Sequence, residues 1–140
     1  LGLSPDQMQK HLNKDSGLLG LTECYADRRD VHEHEESNDA CRPALEVEAH
    51  NVKKYIGAYA AVLNGVDLII FTGGIGENNI TVRQAICNGL SYLGIEFDEK
   101  ANQVRGEDKI ISTKDSRTLL MTVTTDEELV IATDTLKLVK

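Results

Sequence analysis

Asp67-Leu-Ile-Ile-Phe-Thr-Gly-Gly-Ile-Gly-Glu-Asn-Asn79 is the stretch whose reading decides the fold. Leu68, Ile69, Ile70 and Phe71 form an unbroken apolar run with two β-branched members. That pattern predicts a central strand, buried on both faces of a parallel or mixed sheet. Gly73, Gly74 and Gly76 follow; they take backbone angles closed to other residues and leave no side chain between main chain and ligand. Beyond them Asn78 or Asn79 can cap a helix whose stripe begins with Thr81, Val82, Ala85 and Ile86. Strand, glycine loop and helix start together expose N–H groups at the carboxyl end of a strand, where open α/β sheets take ligands.

Spacing excludes two phosphate-binding loops. A Walker loop needs Lys and then Ser or Thr after its last glycine, and Gly76 is followed by Glu77 and Asn78. The dinucleotide fingerprint needs another glycine where Asn79 stands. What remains is a glycine loop without a phosphate-gripping lysine, suited to lie against a sugar or base. Glu77 either lies near such a ligand or favours the helix start through the dipole.

Working outward, the 140 residues with 41% hydrophobic content fit a single domain with a core. A net charge of −8 argues against a nucleic-acid surface, which needs clustered Lys and Arg. Three widely separated cysteines, Cys24, Cys41 and Cys87, fit reduced thiols better than a disulfide framework. No signal peptide, transmembrane run or lipidation motif is visible, so the expected location is the cytoplasm and no membrane partner is expected. The chain does not begin with Met, which reads as an excised piece.

Upstream of the glycine loop, Ser4-Pro5-Asp6 predicts a helix start, with Met8 and Leu12 on one face and Ser16-Gly17 at its end. Leu18 to Leu21 reads as a buried loop or short strand that places Thr22 to Arg29. Asp27-Arg28-Arg29-Asp30 lies at a loop-to-helix junction, a pattern that is most often charged surface. His32 and His34 are too close in sequence to share a helix face, so the run to Glu36 reads as a solvated acidic segment and not a metal site. The longest helix is expected from about Ala40 to Leu63, with Cys41, Leu45, Val52, Tyr55, Ile56, Tyr59, Val62 and Leu63 on a continuous apolar face. His50 reads as a surface or structural residue, and Asn64-Gly65 ends the helix.

Downstream, the helix after the glycine loop ends near Asn88-Gly89, and Gly94 to Asp98 alternates like a strand. Glu99 to Gly106 reads as a loop. Lys109–Thr113 and Thr118–Thr124 predict two short strands, the second buried. Thr125 or Asp126 caps a final helix with Leu129, Val130, Ala132 and Leu136 facing inward. No Gly-x-Ser-x-Gly, Cys-x-x-Cys or paired Cys–His is present to serve as a nucleophile.

Four ordered segments carry a family resemblance. Phe71-Thr-Gly-Gly-Ile-Gly-Glu-Asn78, with Val82-Arg83 after it, resembles the adenosine-binding segment of the acetate kinase family, which includes propionate kinases. Leu12-Asn-Lys-Asp-Ser-Gly-Leu-Leu-Gly-Leu-Thr-Glu23 resembles the signature that precedes the family's nucleotide-contacting Asp-x-Arg, here Asp27 and Arg29. Lys54-Tyr-Ile-Gly-Ala-Tyr59 resembles its long helix, and Asp126-Glu-Glu-Leu-Val-Ile-Ala132 its terminal helix.

The resemblance implies an α/β fold: part of the C-terminal domain of the actin, hexokinase and Hsp70-like (ribonuclease-H-like) ATPase superfold, a mixed sheet flanked by helices. Residues 1–140 would be a single C-terminal domain portion, without the N-terminal domain. It further implies nucleotide binding by Asp27, Arg29, Gly74, Ile75, Gly76, Glu77 and Asn78. Glu127 falls on the family's Mg²⁺-associated glutamate, although Asp126 stands where the family usually has Asn. The implied cofactors are ATP and Mg²⁺, and the implied reaction is phosphoryl transfer to acetate or propionate, giving an acyl phosphate and ADP. The family's catalytic arginines, aspartate and histidines have no counterpart here, so the chain by itself reads as inactive. The family dimerises through its C-terminal domain, and the small residues around Gly57 and Ala61 would suit that. The other reading is a non-catalytic nucleotide-binding or dimerisation domain.

Overall fold

The computed structural model describes residues 2–139. Its contacts divide the chain into two compact units, Leu1–Val52 and Lys53–Lys140.

In the first unit, α1 (Pro5–Lys14) starts as the sequence requires: Gln7 N–H donates to the Ser4 hydroxyl, and the Gln7 side chain accepts the Ser4 N–H at 2.8 Å. Leu18–Thr22 is a helical turn, α2, and not the expected loop or strand. Gly17 at φ 66° and Glu23 at φ 62° bracket it in left-handed conformations, which closes the segment into one turn. The Thr22 hydroxyl then bonds the Leu18 carbonyl at 2.9 Å. α3 (Arg28–Glu33) follows. Val31, Cys41 and Ala44 form the core of this unit, with Leu18, Tyr25 and Leu45 packed around them. His34 stacks on Tyr25 with ring centroids 4.5 Å apart, and His32 pairs with Glu35 at 2.7 Å, so both histidines have ordinary structural partners.

α4 runs from Cys41 to Val62, close to the expected bounds, but its buried side differs from the expected one. Cys41, Ala44, Ala49 and Ala60 are buried, whereas Val52, Tyr55, Tyr59 and Val62 are exposed, as is Leu63 just beyond the helix. Small side chains let neighbouring backbone come close, and the larger ones are left outside. At Gly57 an added Cβ would meet the Tyr92 hydroxyl at 3.3 Å, so that residue accommodates a neighbour within the second unit.

The second unit holds a mixed sheet in the order β1-β3-β2. β1 (Leu68–Phe71) is parallel to β3 (Leu119–Thr122), pairing Leu68 with Leu119 and Phe71 with Thr122. β2 (Lys109–Ile110) is antiparallel to β3. The strand expected at the centre is therefore at an edge: Phe71 is buried, but Leu68 and Ile70 are exposed. β3, with Leu120 and Thr122 fully buried, is the central strand. Gly94 to Asp98 forms no strand and makes a single bridge, Phe97 to Ser112. Gly94 turns at φ 79°, and the Glu96 N–H is taken by the Ser116 hydroxyl, which withdraws it from a ladder.

α5 (Gly73–Asn78) and α6 (Ile80–Cys87) follow β1, then a 3₁₀ turn at Ser91–Leu93. Val82, Ile86, Leu90, Ile95, Val104, Ile111 and Leu120 make the core. α7 (Glu127–Val139) begins where expected, with Asp126 accepting the Leu129 N–H at 2.8 Å. No residue of it is buried, so Leu129, Val130, Ala132 and Leu136 do not face inward within these residues. Among the described residues no helix is long and apolar enough to cross a membrane.

Candidate nucleotide site

The glycine segment is a one-and-a-half-turn helix, not an open loop, and its three glycines serve three different needs. Gly73 sits at φ 69°, the left-handed turn by which the chain leaves β1. Gly76 packs on the strand: a Cβ there would lie 3.0 Å from the Phe71 carbonyl carbon. Gly74 meets nothing within 4 Å, so there the missing side chain leaves open space. Gly74, Ile75 and Asn78 are exposed, and Asn78 folds its amide back to the Gly74 carbonyl at 3.1 Å.

This short helix is fixed from two sides. Beneath it lies Arg83, completely buried on α6. Its guanidinium donates to the carbonyls of Gly76 at 2.8 Å and Glu77 at 2.9 Å, and to those of Asn102 and Val104 at 2.9 and 2.7 Å. A further bond runs to the Asn102 side-chain oxygen at 2.7 Å, and Asn102 donates its amide to the Ile80 carbonyl. Burial and the nearby charge of Arg105 hold the Arg83 guanidinium below its ordinary pKa, and every bonded acceptor is neutral. The fork of five donors is what allows one side chain to satisfy this many carbonyls.

On the other side is Glu77. Its Oε1 accepts the Gly73 N–H at 3.0 Å and both the N–H and hydroxyl of Thr125 at 2.8 Å. The Thr125 hydroxyl is the largest cause of a carboxyl pKa below the ordinary range. Glu77 thus does more than favour a helix start. Asn79, and not Asn78, caps α6 by accepting the Val82 N–H at 3.0 Å.

Asp27 and Arg29 are brought together in the first unit. Asp27 caps α3 by accepting the Arg29 N–H at 2.8 Å, and it takes two guanidinium bonds at 3.1 and 2.6 Å. The Arg29 side chain is nevertheless 89% exposed, so its planar face is free while its edge is held. Arg28 points to a different task, pairing with Glu48 at 2.7 Å.

Glu127 stands exposed in the first turn of α7 beside Glu128. Among the described residues no group of three or more His, Cys, Asp or Glu could hold a metal. An exposed Glu127, with Asp126 and Glu128 on either side, fits the usual mode of Mg²⁺, in which one or two carboxylates act with water and substrate phosphate. The thiol of Cys87 is pushed up to about 12 by burial, which removes it as a nucleophile.

Arg83, Asn102 and Thr125 are the residues that sequence reasoning did not assign to this site. The expected stripe of α6 was half right: Val82 and Ile86 are buried, but Thr81 and Ala85 are exposed and Arg83 and Cys87 are covered instead, so the one signal in the sequence was that Arg83 stands next to Val82 in the segment that carries the resemblance.

A sequence model of the acetokinase family matches residues 1–133. The acetate kinase of Moorella thermoacetica is 47% identical over 140 residues, covering 99% of this chain and 35% of its own length. The crystal structure of Porphyromonas gingivalis acetate kinase superposes with a TM-score of 0.88 at 38% identity, covering 99% of this chain and 35% of that one. A propionate kinase structure from Francisella tularensis gives a TM-score of 0.81 at 35% identity, covering 94% of this chain and 33% of that one. The chain thus spans about a third of the length of these relatives. The likeness bears out the expected α/β fold, part of the actin, hexokinase and Hsp70-like superfold with a mixed sheet flanked by helices. Matched by the family model over residues 1–133, the chain belongs to the acetokinase family.

Proposed function

We propose that this chain is the nucleotide-anchoring portion of an acetate or propionate kinase, with Gly74, Ile75, Gly76 and Asn78 forming the adenosine surface and Glu77 holding that segment in place. Asp27 and Arg29 are its second nucleotide-contacting element. The observation that carries the reading is Gly74: bare, exposed, and set on a helix pinned by Arg83 and Glu77. A rigid platform with an open face can take a ribose or base without a rearrangement cost. Arg29, its edge bound by Asp27, offers a guanidinium plane that can stack on adenine.

Glu127 is the oxygen ligand that this chain would offer to Mg²⁺, which when bound to nucleotide neutralises phosphate charge. The residues named here hold and orient the nucleotide and act alike on ground and transition states. The acyl acceptor is acetate or propionate, the location is the cytoplasm, and the whole kinase works as a homodimer without nucleic acid or membrane as partner. The exposed Tyr55, Tyr59 and Val62 on α4 support a role for this portion in that dimer.

The decisive test is the affinity for Mg²⁺-ADP, followed by amide shifts of residues 74–78. The Cβ of Gly74→Val would meet no protein atom within 4 Å and enters the open space, so binding is expected to weaken at least tenfold, about 1.4 kcal/mol. An unchanged affinity would overturn the assignment. Gly76 is the poorer probe, because its Cβ would press on Phe71 whether or not nucleotide binds.

A further inference from the structure

We infer that Glu77 is a positioning residue: it locks the glycine segment to the start of α7, so that residues 74–78 and Glu127 keep a fixed relation, and it does not itself contact nucleotide. The consequence for nucleotide rests on the adenosine reading proposed above, but the lock itself stands on geometry alone.

One oxygen carries it. Oε1 of Glu77 receives three hydrogen bonds, from Gly73 N–H at the first turn of α5 and from the N–H and hydroxyl of Thr125. Three donors saturate a carboxylate oxygen, and charge-assisted bonds of this kind are the stronger class. The chain between β3 and α7 is gripped at each successive residue. Val123 N–H bonds the Phe71 carbonyl at 3.0 Å, and Thr124 gives its N–H and hydroxyl to Asp108 at 2.7 and 2.8 Å. Thr125 goes to Glu77, and Asp126 then caps α7. Of these holds, the one made by Glu77 also fixes the N–H of Gly73, so a single side chain spans from the glycine segment to the helix bearing Glu127. Arg83 holds the same segment by its carbonyls, at Gly76 and Glu77. The segment is therefore clamped through both its donors and its acceptors, with the Gly74 face left clear.

A side chain that contacts nucleotide and one that positions a neighbouring element differ in what their removal changes. Two readouts on the whole chain separate them. The first is amide hydrogen exchange without ligand. Glu77→Ala is expected to raise exchange at Gly73 and Thr125 at least tenfold, with Thr124, held by Asp108, changing much less. Thr125→Val, a milder change, should raise exchange at Thr125 and add little when combined with Glu77→Ala. Unchanged exchange at both residues in Glu77→Ala, or full additivity of the pair, would overturn the lock.

The second readout is titration with Mg²⁺-ADP. In the unsubstituted chain, shifts are expected at residues 74–78 and at 126–129. Glu77→Ala should keep the first set, with affinity reduced less than threefold, and lose the second. A tenfold or greater loss of affinity with exchange at Thr125 unaltered would make Glu77 a direct ligand and defeat the inference. If the unsubstituted chain shows no shift at 74–78, the adenosine reading fails by itself, and the exchange data still decide whether Glu77 locks the two elements.

Discussion

Asp27 owes its low pKa, about 2, first to the side-chain hydrogen bond from Arg29 and then to the Arg29 backbone N–H. A carboxylate whose folded pKa is depressed contributes its interaction above the ordinary carboxylate range and loses it as pH falls through the folded value. The pair should hence be intact throughout neutral and mildly acidic solution and dissolve only near pH 2. Following the Asp27 carboxyl carbon by NMR should give a midpoint of about 2. Arg29→Ala should move it up, though not fully, since the backbone donor remains. A midpoint indifferent to Arg29 would show that the two residues do not act as a unit. This contact was legible in the sequence only as an Asp-x-Arg spacing. That the same Asp27 also begins α3 follows from its extended backbone, φ −89° and ψ 131°, which spacing does not reveal.

Among the elements, α5 and α6 depend on each other through Arg83. Arg83→Met retains bulk and loses five hydrogen bonds, leaving the carbonyls of Gly76, Glu77, Asn102 and Val104 without that donor. A buried polar group left unpaired costs about 1–3 kcal/mol, so destabilisation of at least about 3 kcal/mol is expected from urea unfolding. Arg83→Lys should recover only part of it, because an ammonium has three donors and no fork. A loss below about 1 kcal/mol would mean that water replaces the guanidinium. The expected elements β1, α6 and α7 are all present, and in each case periodicity or an apolar run had given the type. What the sequence did not convey was neighbours. An apolar run such as Leu68–Phe71 states that a strand can be buried, not how many strands flank it. The alanines of α4 likewise gave no hint that they, and not Tyr55 and Tyr59, would be covered.

At the scale of the whole molecule, the proposed function gives the chain a platform for adenosine and one carboxylate, Glu127, for a metal, and the residues proposed for the site include no clamp of cations for a transferring phosphoryl group. A single well-placed arginine contributes about 10³- to 10⁵-fold to such transfers. Incubating these 140 residues with ATP, Mg²⁺ and acetate, and trapping acyl phosphate with hydroxylamine, is therefore expected to give no turnover above background. A rate in the ordinary kinase range of about 1–100 s⁻¹ would show that groups in this chain complete the chemistry. The sheet carries one further consequence, which concerns how the molecule is made. β1 finds its parallel partner β3 about fifty positions later in the chain, since Leu68 pairs with Leu119. At a synthesis rate of about 5–20 residues per second, β1 emerges from the ribosome about 3–10 s before the strand that completes it. During that interval the edge of β1 that later pairs with β3 is open, and Leu68, Ile69, Ile70 and Phe71 present an apolar template there of the kind that recruits other nascent chains.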